Sequence, residues 1–146
     1  MYNKIYGVQT MILRLATLYG PGMRKNGVIW AFLEKSLKKE DITIQGDGKQ
    51  FRQFLYISDC INAYQKAIEK FKSGEIHEIQ AKKQITIKEI AEAVYPNNPE
   101  KIKYTEARKG DEDSFFVEPT KTLNHWESKV DIKKGMDHLK KYIQYG

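Results

Sequence analysis

Apolar positions along the chain switch between extended runs and helical spacing, and the switches mark its elements. Residues 10–15 form a compact apolar run that predicts a buried strand, ended by the turn Tyr19-Gly20-Pro21-Gly22. Over residues 27–39 Ile29, Phe32, Leu33 and Leu37 recur at helical spacing, with lysines and Glu34 opposite. Ile42-Thr43-Ile44 alternates as a short strand before Gly46-Asp47-Gly48, a turn of the hairpin kind, and residues 51–57 read as a further extended segment. Ser58 is placed to cap a helix over residues 59–71 that buries Ile61, Tyr64 and Ile68. After a weak strand at 75–80, Thr86-Ile87-Lys88-Glu89 is a capping box opening a helix whose apolar face is Ile87, Ile90, Ala91 and Val94. That helix stops at Tyr95-Pro96. A strand at 102–105 and a polar loop at 108–113 precede a last helix carrying Ile132, Met136, Leu139 and Ile143, interrupted by Gly135. The order predicts one mixed α/β (α+β) domain over residues 1–146.

Composition narrows the class. Forty per cent hydrophobic and 12% aromatic residues predict a folded protein rather than a disordered one. No run approaches the roughly 18 apolar residues of a membrane span, and the N-terminus has no signal-peptide layout. The lone Cys60 forms no internal disulfide and reads as a buried residue of a reducing, cytoplasmic compartment. A net charge of +6 fits a solvated lysine-rich surface, and the scattered basic residues match no nucleic-acid-binding motif. Only four residues are arginine: Arg14, Arg24, Arg52 and Arg108. Guanidinium is a rigid fork suited to phosphate oxygens, so these four are the first candidates for an anionic ligand. His77, His125 and His138 lack metal-ligand spacing, and Trp30 and Trp126 fall on apolar faces as core residues.

Five ordered landmarks carry a resemblance: Leu13-Arg14 with Tyr19-Gly20-Pro21; Gly27-Val28-Ile29; residues 46–59; the Thr86-Ile87-Lys88-Glu89 helix start; and Arg108-x-Gly110-Asp111 followed by Lys121 and Trp126. In that order they resemble the C-terminal, substrate-binding half of the extended short-chain dehydrogenases/reductases, the NAD-dependent nucleotide-sugar epimerases and dehydratases, of the UDP-glucose 4-epimerase kind. The resemblance runs over nearly the whole chain. It implies an α/β substrate-binding part without most of the Rossmann domain, and a nucleoside-diphosphate sugar as ligand.

On that resemblance Arg52, in Gly-x-Gly-x-Gln-x-Arg-x-Phe, reaches the diphosphate. Arg108 adds a second phosphate contact and Asp111 accepts from the ribose hydroxyls, although the same residues also fit a solvated charged loop. Val28 and Ile29 at a helix start pack on the base, Thr43, Ile44 and Gln45 line the strand that reads its edge, and Thr17 stands near the phosphates. Arg14 is implied to be structural, paired with a buried carboxylate such as Asp59. The chain departs from the family pattern at Thr17, where Asn is common, at Gln53, where Asp is usual, and at Asn124-His125, where Leu-Gly usually precedes the tryptophan.

Two family signatures are missing. No tyrosine has a lysine four positions later, the pair that makes a phenolate general base. No strand leads into a glycine-rich turn and helix of the dinucleotide-binding kind, since Gly46-x-Gly48 precedes a strand. The expectation is a substrate-binding portion with no catalytic residues, cofactor site or metal of its own; NAD belongs to the complete enzyme. It would work with a separately encoded Rossmann-half chain or be a truncated relic, and a homodimer or such a partner chain is expected. The competing expectation is a non-catalytic scaffold or interaction module of the same descent.

Overall fold

Among the described residues three of the four strand pairs are parallel, so each needs a crossover, and the helices supply those crossovers. The computed structural model describes residues 2–107 and 122–145. A short helix α1 (Tyr2–Tyr6) leads into β1 (Ile12–Leu15) and β2 (Thr17–Tyr19), consecutive pieces of one extended run. Helix α2 (Val28–Leu37), β3 (Ile42–Gln45), β4 (Phe51–Arg52), β5 (Phe54–Tyr56) and α3 (Ile57–Glu69) follow. Next come β6 (Ile76–Ile79), β7 (Ile85–Thr86), α4 (Ile87–Val94), a single 3-10 turn at Pro99–Lys101, β8 (Ile102–Thr105) and α5 (Ile132–Tyr145). The pairs are β1 with β6, β2 with β5 and β3 with β8, all parallel, and β4 with β7, antiparallel. Among the described residues no helix is long and apolar enough to cross a membrane.

Two apolar clusters hold these pieces together. The larger joins α2, β3, β5, α4 and α5 through Ile29, Leu33, Ile42, Ile44, Phe54, Ile90 and Leu139. The smaller joins Leu55, Cys60, Ala63, Ala67, Ile79, Leu123 and Trp126, with Leu13 and Leu15 packed against it. Trp30, Trp126 and Cys60 are buried as expected, and burial pushes the Cys60 thiol up from its ordinary pKa. The capping box of α4 forms in both directions: Glu89 N–H donates to Thr86 Oγ1 at 3.0 Å, and Thr86 N–H donates to Glu89 Oε2 at 2.7 Å.

The glycine turn after β3 is not a hairpin. β3 pairs in parallel with β8, and the chain leaves the turn to pair β4 with β7 instead. The turn docks on the start of α4: Lys88 N–H donates to Gly48 O at 3.0 Å and Ile87 N–H to Gln50 O at 3.2 Å. Gly48 has φ +75°, and a Cβ there would lie 3.0 Å from Lys88 Cβ. The turn thus fills orphan donors of the α4 N-terminus, a long-range role that local hairpin chemistry does not announce.

Helix α3 also differs from its pattern. It starts at Ile57 with Tyr56 as N-cap, and Ser58 lies inside it. Its buried face is Asp59, Cys60, Ala63 and Ala67, whereas Ile61, Tyr64 and Ile68 are exposed. The small residues let the helix approach the strands closely, and Asp59 is buried because its Oδ2 accepts from Lys129 N–H at 3.0 Å and Val130 N–H at 2.9 Å. Those two bonds occupy the carboxylate that was expected to pair with Arg14. Arg14 faces Glu78 across the β1/β6 ladder, 3.9 Å away.

Gly135 looks like a defect in α5 and is a contact. A Cβ there would fall 2.7 Å from Tyr19 Cζ and overlap the Tyr19 hydroxyl, so glycine is what lets the ring lie against the helix. That hydroxyl donates to Asp131 O at 3.5 Å, and burial pushes the phenol well above its usual pKa. Gly135→Ala gains at most about 1 kcal/mol in helix propensity and loses about 1–3 kcal/mol to overpacking. Denaturant unfolding should therefore show net destabilisation, relieved only in part by Tyr19→Phe, which removes the overlapped oxygen but keeps the ring carbon at 2.7 Å.

Thr86→Ala should cost about 1 kcal/mol by the same measurement. The Thr86 amide and hydroxyl hold the Glu89 carboxyl below its ordinary pKa. Its share of stability is thus present above the usual glutamate range and lost as pH falls through the lowered folded value. The wild type should lose more stability than Thr86→Ala across that acid window.

Candidate functional site

The strand β2 ends at Tyr19, whose burial fixes where the Gly20-Pro21-Gly22 turn leaves the fold. The turn returns through Met23 to Asn26 and enters α2 at Gly27. Lys25 Nζ sits 5.5 Å above the Trp30 ring and holds this connection against the first turn of the helix. A cavity of about 410 Å³ lies in the bend, lined by Thr17, Gly20, Pro21, Arg24, Asn26, Gly27 and Ile57, among others. No side chain caps the N-terminus of α2. The first-turn amides and the positive end of the helix dipole therefore stand beside a cavity of ligand size.

The expected site residues divide around this bend. Thr17 lines the cavity. Val28 opens α2 and is half-buried, while Ile29 is wholly inside the core, so any contact there must come from its backbone. On β3 the alternation leaves Thr43 and Gln45 outward and buries Ile44 at 1% exposure. Arg52 is exposed on β4, and its Nη1–H donates to Phe51 O at 2.9 Å. The backbone brings Thr17 and the β4/β5 junction together, because Thr17 N–H donates to Gln53 O at 3.1 Å.

A second convergence surrounds the 46–50 turn. Gly46 N–H donates to Thr105 O at 3.0 Å, and a Cβ at Gly46 would touch Ala107 Cβ at 3.3 Å. The end of β8 therefore lies beside the turn that leads to Arg52. Gln50 Nε2–H donates back to Gln45 O at 2.8 Å, and its own amide oxygen is buried without a partner. Arg108, Gly110, Asp111 and Lys121 lie outside the described residues.

Arg24 was legible as one of four arginines, but Asn26 was not singled out; its position just before the glycine that opens α2 was the available signal. A larger cavity, about 1520 Å³, runs between α4 and α5 over Tyr19, Leu33, Phe54 and Met136. Among the described residues none of the expected site residues lines it, and its rim mixes charges of both signs: Lys88, Glu89 and Glu92 on α4 with Lys133, Asp137 and Lys140 on α5. Volume alone gives it no chemistry. Among the described residues no group of three or more His, Cys, Asp or Glu is placed to hold a metal ion.

Comparison with known proteins places the chain. It spans about half the length of the curated relatives it matches. UDP-glucuronic acid decarboxylase 5 of Arabidopsis thaliana is 30% identical over 141 residues, covering 92% of this chain and 41% of the relative. The UDP-glucose 4-epimerase of Thermotoga maritima, solved with UDP-glucose, superposes with a TM-score of 0.85 at 27% identity, covering 98% of this chain and 48% of that one. The UDP-glucuronic acid 4-epimerase of Bacillus cereus, solved with UDP-glucuronic acid and NAD, gives 0.83 at 28% identity with the same coverage. The sequence model of the NAD dependent epimerase/dehydratase family matches residues 1–80, and the chain, with its parallel mixed α/β fold, belongs to that extended short-chain dehydrogenase/reductase family.

Proposed function

We propose that this chain is the nucleotide-sugar-binding portion of an NAD-dependent epimerase or dehydratase and is inert by itself. The carrying observation is the cavity lined by Thr17, Arg24, Asn26 and Gly27, which lies next to an α2 N-terminus whose cap residue makes no side-chain bond. Backbone donors and a positive helix end suit a phosphoryl group. Arg52 and, outside the described residues, Arg108 supply guanidinium forks for the diphosphate, and Asp111 accepts from the ribose. Thr43, Gln45 and the backbone at Val28, Ile29 and Ile44 flank the base. Thr17 offers a hydroxyl but no amide donor. The relatives solved with UDP-glucose and UDP-glucuronic acid support this ligand class.

The Gly46-x-Gly48 turn does not fit NAD. A dinucleotide cradle needs amides turned outward at a helix start, whereas the Gly46-x-Gly48 turn gives its carbonyls to the α4 amides, and Lys88 occupies the space beside Gly48. With no Tyr-x-x-x-Lys pair in the sequence either, the hydride chemistry belongs to a second half. A cytoplasmic location accords with this reading and with the single buried thiol. The second reading, a non-catalytic interaction module, is favoured by Thr17 and Gln53, which soften the family's ligand contacts.

Calorimetry separates the two. UDP and UDP-glucose should release or absorb heat on binding, and Arg52→Ala should weaken binding by roughly 1.5–3 kcal/mol, the scale of a hydrogen bond to a charged group. A folded sample silent at millimolar ligand would favour the interaction module.

A further inference from the structure

Asp59 and His77 are both buried, but their surroundings differ. Asp59 is met by two backbone donors, whereas His77 is met by acceptors on both ring nitrogens. His77 Nε2 lies 2.9 Å from Glu75 Oε2, and Nδ1 lies 3.3 Å from Thr122 O. A carbonyl and an ionised carboxylate only accept, and a neutral imidazole has one N–H to give. In the neutral ring one of the two contacts therefore sets a nitrogen lone pair against an oxygen. The imidazolium, with two N–H groups, donates to both. Lys72 Nζ lies 3.3 Å from Glu75 Oε1, so the carboxylate stands between two cations when the ring is charged.

The register sets His77 beside Leu13, on the face of β1/β6 that meets the smaller apolar cluster. That cluster brings one titratable group, the buried Cys60 thiol of α3, and Asp59 of the same helix is committed to the Lys129 and Val130 amides. Arg14 and Glu78 meet on the opposite face of the sheet. In the 122–130 segment His125 is exposed and Glu127 pairs with Lys82 at 2.7 Å. Among the described residues Glu75 is thus the charged group in contact with the ring. What the ring holds is the start of that segment. Leu123 and Trp126 are buried in the smaller cluster, Trp126 N–H donates to Leu123 O at 3.2 Å, and Asp59 fixes the far end at residues 129 and 130. His77 ties the near end, at Thr122, to β6.

We propose that His77 is a proton-operated clasp between β6 and the 122–126 segment: the doubly protonated ring holds Thr122 O and Glu75 together, and loss of one proton frees Thr122. The N–H that remains stays with the carboxylate, the nearer and stronger acceptor. Thr122 then loses its tie while Asp59 still holds residues 129 and 130, so Leu123 and Trp126 open as a local unit rather than with the whole fold. The clasp sets how firmly the polypeptide leading into α5 is seated, and it does so whether or not a nucleotide is bound.

Imidazole nitrogen NMR and amide exchange of the full chain, from about pH 5 to about pH 9, span the ordinary histidine range and test the clasp. The His77 ring should carry two N–H groups at the acid end and one at the alkaline end. Over that interval the Trp126 amide should lose at least about tenfold in protection, corrected for the chemical exchange rate, which is the scale of one hydrogen bond to a charged group. The Ile90 and Leu139 amides should not. The Trp126 indole N–H, buried without a partner, should shift with the same midpoint as the ring. Glu75→Gln, at a partly exposed position, separates the clasp from a merely structural histidine. The new side-chain amide donates to Nε2 while Nδ1–H keeps Thr122 O, so a neutral ring satisfies both partners and the Trp126 amide should stay protected to the alkaline end. A ring whose proton count is fixed across the interval overturns the clasp. So does Trp126 protection that does not follow the ring, or a loss in Glu75→Gln equal to that of the wild type.

Discussion

Tyr19 is where the fold and the candidate site become one object. Its ring rests on the bare backbone of Gly135 in α5, its hydroxyl reaches Asp131 O, and its edges meet Phe54 and Tyr56 at centroid distances of 6.1 and 5.2 Å. Backbone at the start of the C-terminal helix and two side chains of β5 thus fix one residue, and the very next residue begins the turn that bounds the cavity. Asp59 does the complementary work from α3, binding the two backbone amides that lead into α5. Removing a partner from a buried carboxylate of this kind leaves charge unpaired in the interior, which is why such groups are strong anchors. Met136 and Leu139 hold α5 in the larger apolar cluster, and these two contacts tie that seat to the strand that leads into the Gly20-Pro21-Gly22 bend.

Much of this was readable from local chemistry. The capping box at Thr86, the amphipathic α2 and α5, and the short strands at 42–45, 76–79 and 102–105 follow from periodicity and turn residues within one segment. What was not readable depends on partners far along the chain. The Gly46-Asp47-Gly48 turn has hairpin residues, yet its carbonyls are taken by α4 amides some forty residues later, and β3 finds β8. The pattern at Ile61, Tyr64 and Ile68 is a genuine apolar stripe, but Cys60, Ala63 and Ala67 make the smaller, closer-packing face against the strands. A stripe records an apolar face; which face packs here is set by how closely the helix must approach the strands.

The candidate site divides in the same way. Thr17 and the α2 start were named through the family resemblance, and the structure sets Thr17 and Gly27 in the lining of one cavity. The convergence of the 46–50 turn with Ala107 at the end of β8 was not, because only the parallel β3/β8 pairing creates it. Ile29 and Ile44, placed near the ligand by resemblance, put their side chains into the core and leave only backbone for recognition. That suits a base, whose edge is read by amides and carbonyls, better than it suits a sugar. The larger α4/α5 cavity shows the converse: ample space, but lysines and carboxylates interleaved along its lining.

The central claim is that nucleotide recognition sits at the bend between β2 and α2. Amide NMR with UDP titrated into the full chain tests it directly, because each backbone N–H reports its own surroundings. The account predicts saturable shifts at residues 17–29, with further shifts at residues 43–52, and none along the α4/α5 cavity. Shifts confined to residues 88–96 and 127–140, or a spectrum unmoved at millimolar UDP, would contradict it.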